Sequence, residues 1–185
     1  DVYKRQEYAV PFDDTDETVR LTDLFDAIYN KWFDQSIFTG SYPREVLALF
    51  EEHMPNNYID DLSIISQPLD WVGTNYYTRS VIKPDKSETV IGFRCARGDL
   101  PKTDMGWEIA PEGLAHFIKR TAKNYAPKLP HYITENGMAS SDIIQQGKIN
   151  DTDRVDYFDR HLQIITELKL QGVNLAGYFA WSLLD

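Results

Sequence analysis

Three short runs rich in aromatic and β-branched residues alternate with segments of helical period, and this alternation limits the folds open to the chain. The runs are Leu69–Thr78, His131–Thr134 and Val173–Trp181. Elsewhere apolar residues recur three and four apart. One set is Leu21, Leu24, Phe25, Ile28 and Trp32; a second is Leu114, Phe117, Ile118 and Ala122; a third is Val155, Phe158, Leu162 and Ile165. A period near 3.6 marks a helix with one apolar face, and a short apolar run bounded by turn residues marks a strand. Pro111 opens the second helix, Pro127 and Pro130 stop it, Asp151 or Asp153 caps the third, and Gly172 ends it. Pro43 starts one more helix, reaching about His53. Residues 11–22, crowded with acidic residues and Thr, read as a solvated loop. Residues 79–108 read as a long loop with a small hairpin, in which Thr89–Ile91 is a strand candidate. Loops of that length commonly serve a site.

Strands alternating with helices imply βαβ units and a parallel sheet. Three strands cannot close a barrel. The expected class is therefore α/β: a partial (β/α)8 TIM barrel, roughly strands six to eight with their helices. A small doubly wound domain is the structural alternative. It is weakened because neither G-x-G-x-x-G nor G-x-x-x-x-G-K occurs.

Charge and composition remove other classes. The 185 residues hold 19 Lys and Arg against 29 Asp and Glu, a net charge of −10, with no basic patch for nucleic acid. No apolar run is long enough to span a membrane, and no signal peptide opens the chain. Cys95 stands alone, so neither an internal disulfide nor a Cys-rich zinc site is available. The cytoplasm fits, although a missing start would hide a targeting segment. Asp1–Gln6 equals the translation of GATGTGTATAAGAGACAG, a transposase adapter used for sequencing libraries. Residues 1–6 are set aside on that ground, and the abrupt end at Asp185 suggests truncation there too. Residues 7–185 then form an internal piece of a longer protein.

In a (β/α)8 barrel the active site gathers at the C-terminal ends of the strands. Those ends read Thr74–Arg79, Thr134–Gly137 and Phe179–Asp185. They offer Asn75 and a Tyr pair, then Glu135 and Asn136, then Trp181. A carboxylate, a phenol, amides and a flat indole suit sugar chemistry: carboxylates work on the glycosidic bond, and an indole face packs on sugar C–H groups. Tyr76 and Tyr77 alternate across their strand, so one faces the core and the other the barrel mouth. Trp32 and Trp71 read as core packing. His53, His116, His131 and His161 lack ligand spacing and read as surface or satisfied structural groups; Cys95 reads as a lone loop thiol. Arg154, at a helix start where a cation opposes the dipole, needs a carboxylate or a loop carbonyl.

At this point a resemblance becomes specific. Ile133-Thr-Glu-Asn-Gly137 resembles the nucleophile motif of the glycoside hydrolase family 1 β-glucosidases. Further stretches agree in order and rough spacing: Asn75-Tyr-Tyr77, Thr103-Asp-Met-Gly-Trp107 leading into Pro111-Glu-Gly113, Asp153-Arg154, and Gly177-Tyr-Phe-Ala-Trp-Ser182. Lys31-Trp-Phe33 through Phe38-Thr-Gly-Ser-Tyr-Pro43 fits too, and the likeness covers about residues 7–185. It implies that Glu135 is the nucleophile, that Tyr77 donates a hydrogen bond to it, and that Asn75 lines the same subsite. Trp181 would be the platform under the sugar and Trp107 would stand on the leaving-group side. Asn136 lies nearby with no role of its own. The implied reaction is retaining hydrolysis of a β-glucoside or β-linked disaccharide, with no metal or organic cofactor and no nucleic-acid or membrane partner.

The departures matter equally. The family's acid/base Glu sits in an Asn-Glu-Pro motif, which does not occur here, and a Gln and a His-Trp pair expected near the amino end of the barrel are also absent. The chain stops short of an expected Asn-Phe-Glu-Trp stretch. The stretch Trp181–Asp185 resembles the type acting on non-phosphorylated sugars. On this reading the parent protein is active and the chain alone is not. The rival expectation is a half-barrel that serves as a non-catalytic sugar-binding or interaction module.

Overall fold

A computed structural model describes residues 3–182. Strands β1 (Tyr3–Pro11), β2 (Val72–Pro84), β3 (Phe93–Ala96), β4 (His131–Asn136), β5 (Ile144–Gln145), β6 (Lys148–Ile149) and β7 (Leu175–Ala180) form two sheets. The main sheet runs β1-β2-β4-β7, with every neighbour parallel; β3 pairs antiparallel with β2, and β5 and β6 make a separate hairpin. Helices α1 (Asp16–Asp26), α2 (Trp32–Thr39), α3 (Arg44–Phe50) and α4 (Tyr58–Ile65) connect β1 to β2. Helix α5 (Pro111–Asn124) precedes β4, and α6 (Thr152–Leu170) precedes β7. Parallel strands that are neighbours both in sequence and in space, each pair joined through helices, are the connectivity of successive units of a (β/α)8 barrel.

Four parallel strands are present where the sequence pattern suggests three. The extra one, β1, runs through residues 3–6 as well as 7–11. A parallel ladder needs only backbone donors and acceptors, so its pairing does not depend on where those first residues come from. Other boundaries move. Residues 16–22 belong to α1 rather than to a loop, because Thr15 caps that helix by accepting from Thr18 N–H at 3.3 Å and Asp16 and Glu17 favour its first turn. Strand β2 continues past Thr78 to Pro84, and its hairpin partner is Phe93–Ala96 while residues 89–91 form the turn, so Cys95 lies on β3, not in a loop. Pro43 stands just before α3 instead of inside it.

The core lies between the sheet and its helices. Leu114, Phe117, Ile118 and Thr121 form one buried stripe of α5, which packs with Ile133, Tyr76, Leu168 and Leu175. A second cluster joins Leu21 and Phe25 of α1 to Ile82 and Phe93. Trp32 and Trp71 are half-buried: Trp32 stacks on Tyr42 at 4.1 Å, and Trp71 meets Tyr132 edge-on at 5.5 Å.

One buried ion network ties α5 to α1 and α2. Arg120 donates from Nη1 to both oxygens of Asp26 at 2.8 and 2.9 Å and from Nη2 to Asp34 at 2.8 Å. Asn30, in the π-turn Ala27–Lys31 between α1 and α2, donates to Asp26 at 2.8 Å and exchanges bonds with both backbone groups of Glu7. Gln6 donates to Asp34 at 3.3 Å. Burial pushes the Asp26 carboxyl up, but Arg120, Asn30 and Lys31 together hold it below the ordinary carboxylate range.

His161 is fully buried on α6, stacked on Tyr157 at 4.0 Å, with Nδ1 2.7 Å from the Tyr157 carbonyl. Burial pushes its pKa down to about 4, only partly offset by that carbonyl bond. The folded state therefore binds the proton more weakly than the unfolded chain. Stability conferred by the neutral ring is complete above the unfolded value of about 6.5 and is lost as pH falls through about 4. Urea unfolding at pH 7 and pH 4 is expected to differ by about 3 kcal/mol from this residue alone. His161→Gln is expected to flatten that dependence; an unchanged slope in the variant would show that another group carries it.

Candidate active site

The site forms where β2 and β4 end side by side, and register breaks aim its side chains. Thr74 pairs with Ile133, but Asn75 pairs with Glu135, so β4 carries one more residue than β2 over this step. Between Ile133 and Asn136 it likewise carries one more than β7 between Tyr178 and Ala180. Ile133 is buried in the core beneath the helices. In a regular strand Glu135 would share that face; the extra residue turns it toward the mouth of the sheet. Strand β2 has its own break against β1, between Tyr76 and Arg79. Tyr76 is fully buried and donates to the Ala110 carbonyl at 2.6 Å, whereas Tyr77 reaches the mouth.

There the Tyr77 hydroxyl donates to Glu135 Oε2 at 2.7 Å. Thr134 donates to Asn75 Oδ1 at 2.6 Å, which fixes the Asn75 amide with its nitrogen as the remaining donor. A cleft of about 470 Å³ opens over these groups, walled by Met105, Trp107, Arg154 and Trp181. The Trp107 indole stands edge-on to Tyr77 at 5.7 Å, and Trp181 is 58 % exposed. The structure thus brings Glu135, Tyr77, Trp107 and Trp181 around one cleft, with buried Asn75 on the adjoining strand.

Two polar knots hold the rim. Glu108, next to Trp107, is buried and accepts from Arg79 Nε at 2.7 Å, Leu100 N–H at 2.9 Å and Lys102 Nζ at 3.1 Å. Burial raises its pKa, but these three donors outweigh burial and hold it below the ordinary range. Arg154 donates to Asp142 at 2.6 Å, Asp151 at 2.8 Å and the Ser140 carbonyl at 2.9 Å, pinning the loop after β4. Asp151 therefore spends its carboxylate on Arg154, and no side-chain cap closes α6.

Sequence reasoning names Asn136 and Gly137 in the strand-end motif but gives neither a role of its own. Asn136 is fully buried; its amide nitrogen donates to the Tyr76 carbonyl at 2.8 Å and to the Tyr157 hydroxyl at 2.9 Å, and its oxygen accepts from Tyr178 at 2.7 Å. The Trp181 N–H donates to the Asn136 carbonyl at 2.9 Å. A Cβ built on Gly137 would overlap the Trp181 carbonyl oxygen. Gly137→Ala is therefore expected to displace Trp181 and to destabilise the fold by an overpacking penalty of about 1–3 kcal/mol. Urea denaturation checks this; unchanged stability would mean that the two backbone segments separate without loss. The four histidines stay out of the cleft: His53 is exposed and His116, His131 and His161 sit elsewhere. Among the described residues, no cluster of His, Cys, Asp or Glu is arranged to hold a metal, and no helix is long and apolar enough to cross a membrane. Leu183–Asp185, on which the non-phosphorylated-sugar reading partly rests, lie outside the described residues.

Comparison with known proteins gives this geometry a context. The chain is 39% identical over 181 residues to a 1,4-beta-D-glucan glucohydrolase of Thermotoga neapolitana, covering 96% of this chain and 42% of that protein. It superposes on the family 1 β-glucosidase of Thermotoga maritima with a TM-score of 0.92 and 37% identity, over 99% of this chain and 41% of that one. A second structure of the T. maritima enzyme, in complex with deoxynojirimycin, gives a TM-score of 0.91 at 37% identity, over 99% of this chain and 41% of that one. The chain thus spans about two fifths of these relatives, and its sheet is part of their TIM barrel. The family description that matches, over residues 2–185, is Glycosyl hydrolase family 1. Shared sequence, shared strand order and a carboxylate at the end of β4 lead to one conclusion: the chain belongs to glycosyl hydrolase family 1.

Proposed function

We propose that the whole protein to which this chain contributes is a retaining β-glucosidase, and that this chain carries its nucleophile, Glu135. In this reading residues 7–185 are the carboxy-terminal part of one (β/α)8 domain and residues 1–6 are adapter-derived. The observation that carries the proposal is the 2.7 Å bond from Tyr77 to Glu135 within a cleft walled by two indoles. A hydrogen bond donated to one carboxylate oxygen fixes the orientation of the group in the cleft. Glu135 adds to the anomeric carbon through an oxocarbenium-like transition state as the glycosidic oxygen leaves with a proton from a second carboxyl group of the whole protein. Water then opens the glycosyl ester, so two inversions give net retention. Trp181 supplies a face for sugar C–H groups, Asn75 a donor for a hydroxyl, and Trp107 a wall on the leaving-group side.

Retaining chemistry needs a second carboxyl group about 5–5.5 Å from the first. The family resemblance places it in an Asn-Glu-Pro motif that this chain does not contain. The chain alone is therefore inactive. The substrate is a non-phosphorylated β-glucoside or β-linked disaccharide, in keeping with the deoxynojirimycin complex of the T. maritima relative. A cytoplasmic setting belongs to the same proposal and suits the unpaired thiol of Cys95.

An activated 2-fluoroglucoside tests the reading, because its leaving group departs without an acid and its fluorine slows release of the ester. The whole protein is expected to gain one glucosyl adduct on the peptide bearing Glu135 and to release the β-anomer first from an ordinary substrate. A label elsewhere, or an α-anomer, rejects the proposal. Turnover of an aryl β-glucoside by the isolated chain, lost in Glu135→Gln, would reject the claim that it is inactive alone.

A further inference from the structure

Asn136 lies directly beside Glu135 on β4, yet it points the other way, into the protein. We infer that Asn136 is a positioning residue for the nucleophile: its side chain holds the register break that turns Glu135 from the core toward the cleft. The inference rests on the reading of Glu135 given above.

Three observations carry it. The break is two-sided, because β4 has one residue more than both β2 and β7 across Ile133–Asn136. An extra residue interrupts the ladder and leaves backbone groups in need of other partners. Asn136 supplies one: its amide nitrogen donates to the Tyr76 carbonyl of β2, on the strand that carries Tyr77. Its oxygen accepts from Tyr178 of β7, and its nitrogen also donates to Tyr157 of α6. One fully buried amide thus bonds both flanking strands and the helix beneath them. Burial keeps the phenols of Tyr157 and Tyr178 well above the usual tyrosine range, so neither hydroxyl is charged.

The alternative to the break is a regular ladder. A slip of one residue would return Glu135 to the face shared by Ile133, where the apolar core excludes a carboxylate. An amide is suited to preventing this slip because it donates and accepts at once. Asn136→Asp keeps the shape and loses the paired donors; Asn136→Ala loses both functions.

The test separates position from stability. In the whole protein, Asn136→Asp and Asn136→Ala are expected to lower the rate of Glu135 labelling by the activated 2-fluoroglucoside at least 100-fold, with deoxynojirimycin affinity changed less than 10-fold. Tyr178→Phe, which removes a single bond, is expected to give a smaller loss in the same direction and covers the case in which both Asn136 variants fail to fold. Crystal structures of the folded variants are expected to show the carboxylate withdrawn from Tyr77. If the 135 carboxylate keeps its bond to Tyr77 in a folded variant, the inference is overturned, whatever the labelling rate. Should wild-type protein take no label at all, the nucleophile reading fails, while the crystal structures still decide whether Asn136 holds the strand.

Discussion

Replacing Glu135 by Gln in the whole protein is expected to lower kcat by roughly 10⁴- to 10⁶-fold, the scale seen when a covalent nucleophile is removed. Gln has the same shape, and its amide oxygen can still accept the Tyr77 hydrogen bond. What it lacks is the carboxylate oxygen that, on the proposed mechanism, forms the glycosyl ester. Affinity for a glucose-like inhibitor is therefore expected to stay within about tenfold, because the platform and the amide donors remain. Tyr77→Phe is expected to fall between wild type and this variant, losing roughly 10- to 100-fold in kcat, since a bond to a charged group contributes about 1.5–3 kcal/mol. Steady-state and pre-steady-state kinetics with an aryl β-glucoside measure both. If Glu135→Gln kept even a hundredth of wild-type kcat, the covalent route would be excluded.

The second large effect concerns stability. Arg120→Met is expected to destabilise the protein by about 3–5 kcal/mol, the usual consequence of leaving a buried charge without its partner. Asp34 is 3% exposed and Asp26 is held largely by the same guanidinium, with Lys31 as a second cation at 3.3 Å. Methionine keeps an aliphatic stem but loses the guanidinium that lies 5.0 Å over the Phe117 ring, so the loss includes that cation–π contact as well as the ion pairs. The triple variant Arg120→Met, Asp26→Asn, Asp34→Asn removes the unpaired charges and is expected to regain most of that loss. Urea denaturation of the set, with signals from both secondary structure and tryptophan, measures it. A single variant within 1 kcal/mol of wild type would mean that water reaches the two carboxylates.

Much of the fold and part of the site could be read without coordinates, and the limit is physical. The α5 stripe was legible because a proline start and a 3.6 period act locally. Strand β1 was not, because Tyr8–Pro11 is a short apolar run behind residues set aside for their likeness to an adapter. The identities of Glu135, Tyr77 and Trp181 came from motif order, not from geometry. Their direction could not be read: alternation placed Tyr76 and Tyr77 on opposite faces without saying which, and the breaks in β2 and β4 depend on neighbouring strands. The bonding role of Asn136 could not be read for the same reason, as its partners lie 21, 42 and 60 residues away.

Asn136 is followed by Gly137, and that dipeptide is the one most prone to chemical ageing in proteins. The glycine nitrogen attacks the asparagine side chain, ammonia departs, and hydrolysis of the cyclic imide leaves aspartate or its backbone-shifted isomer. The attack needs a free side chain and a mobile glycine. Here the amide is tied at both ends, so the folded protein protects its own weak point. Each excursion to the unfolded state lifts that protection. A heated sample would thus accumulate a change that cooling cannot reverse, one molecule at a time, through a single released ammonia beside Glu135.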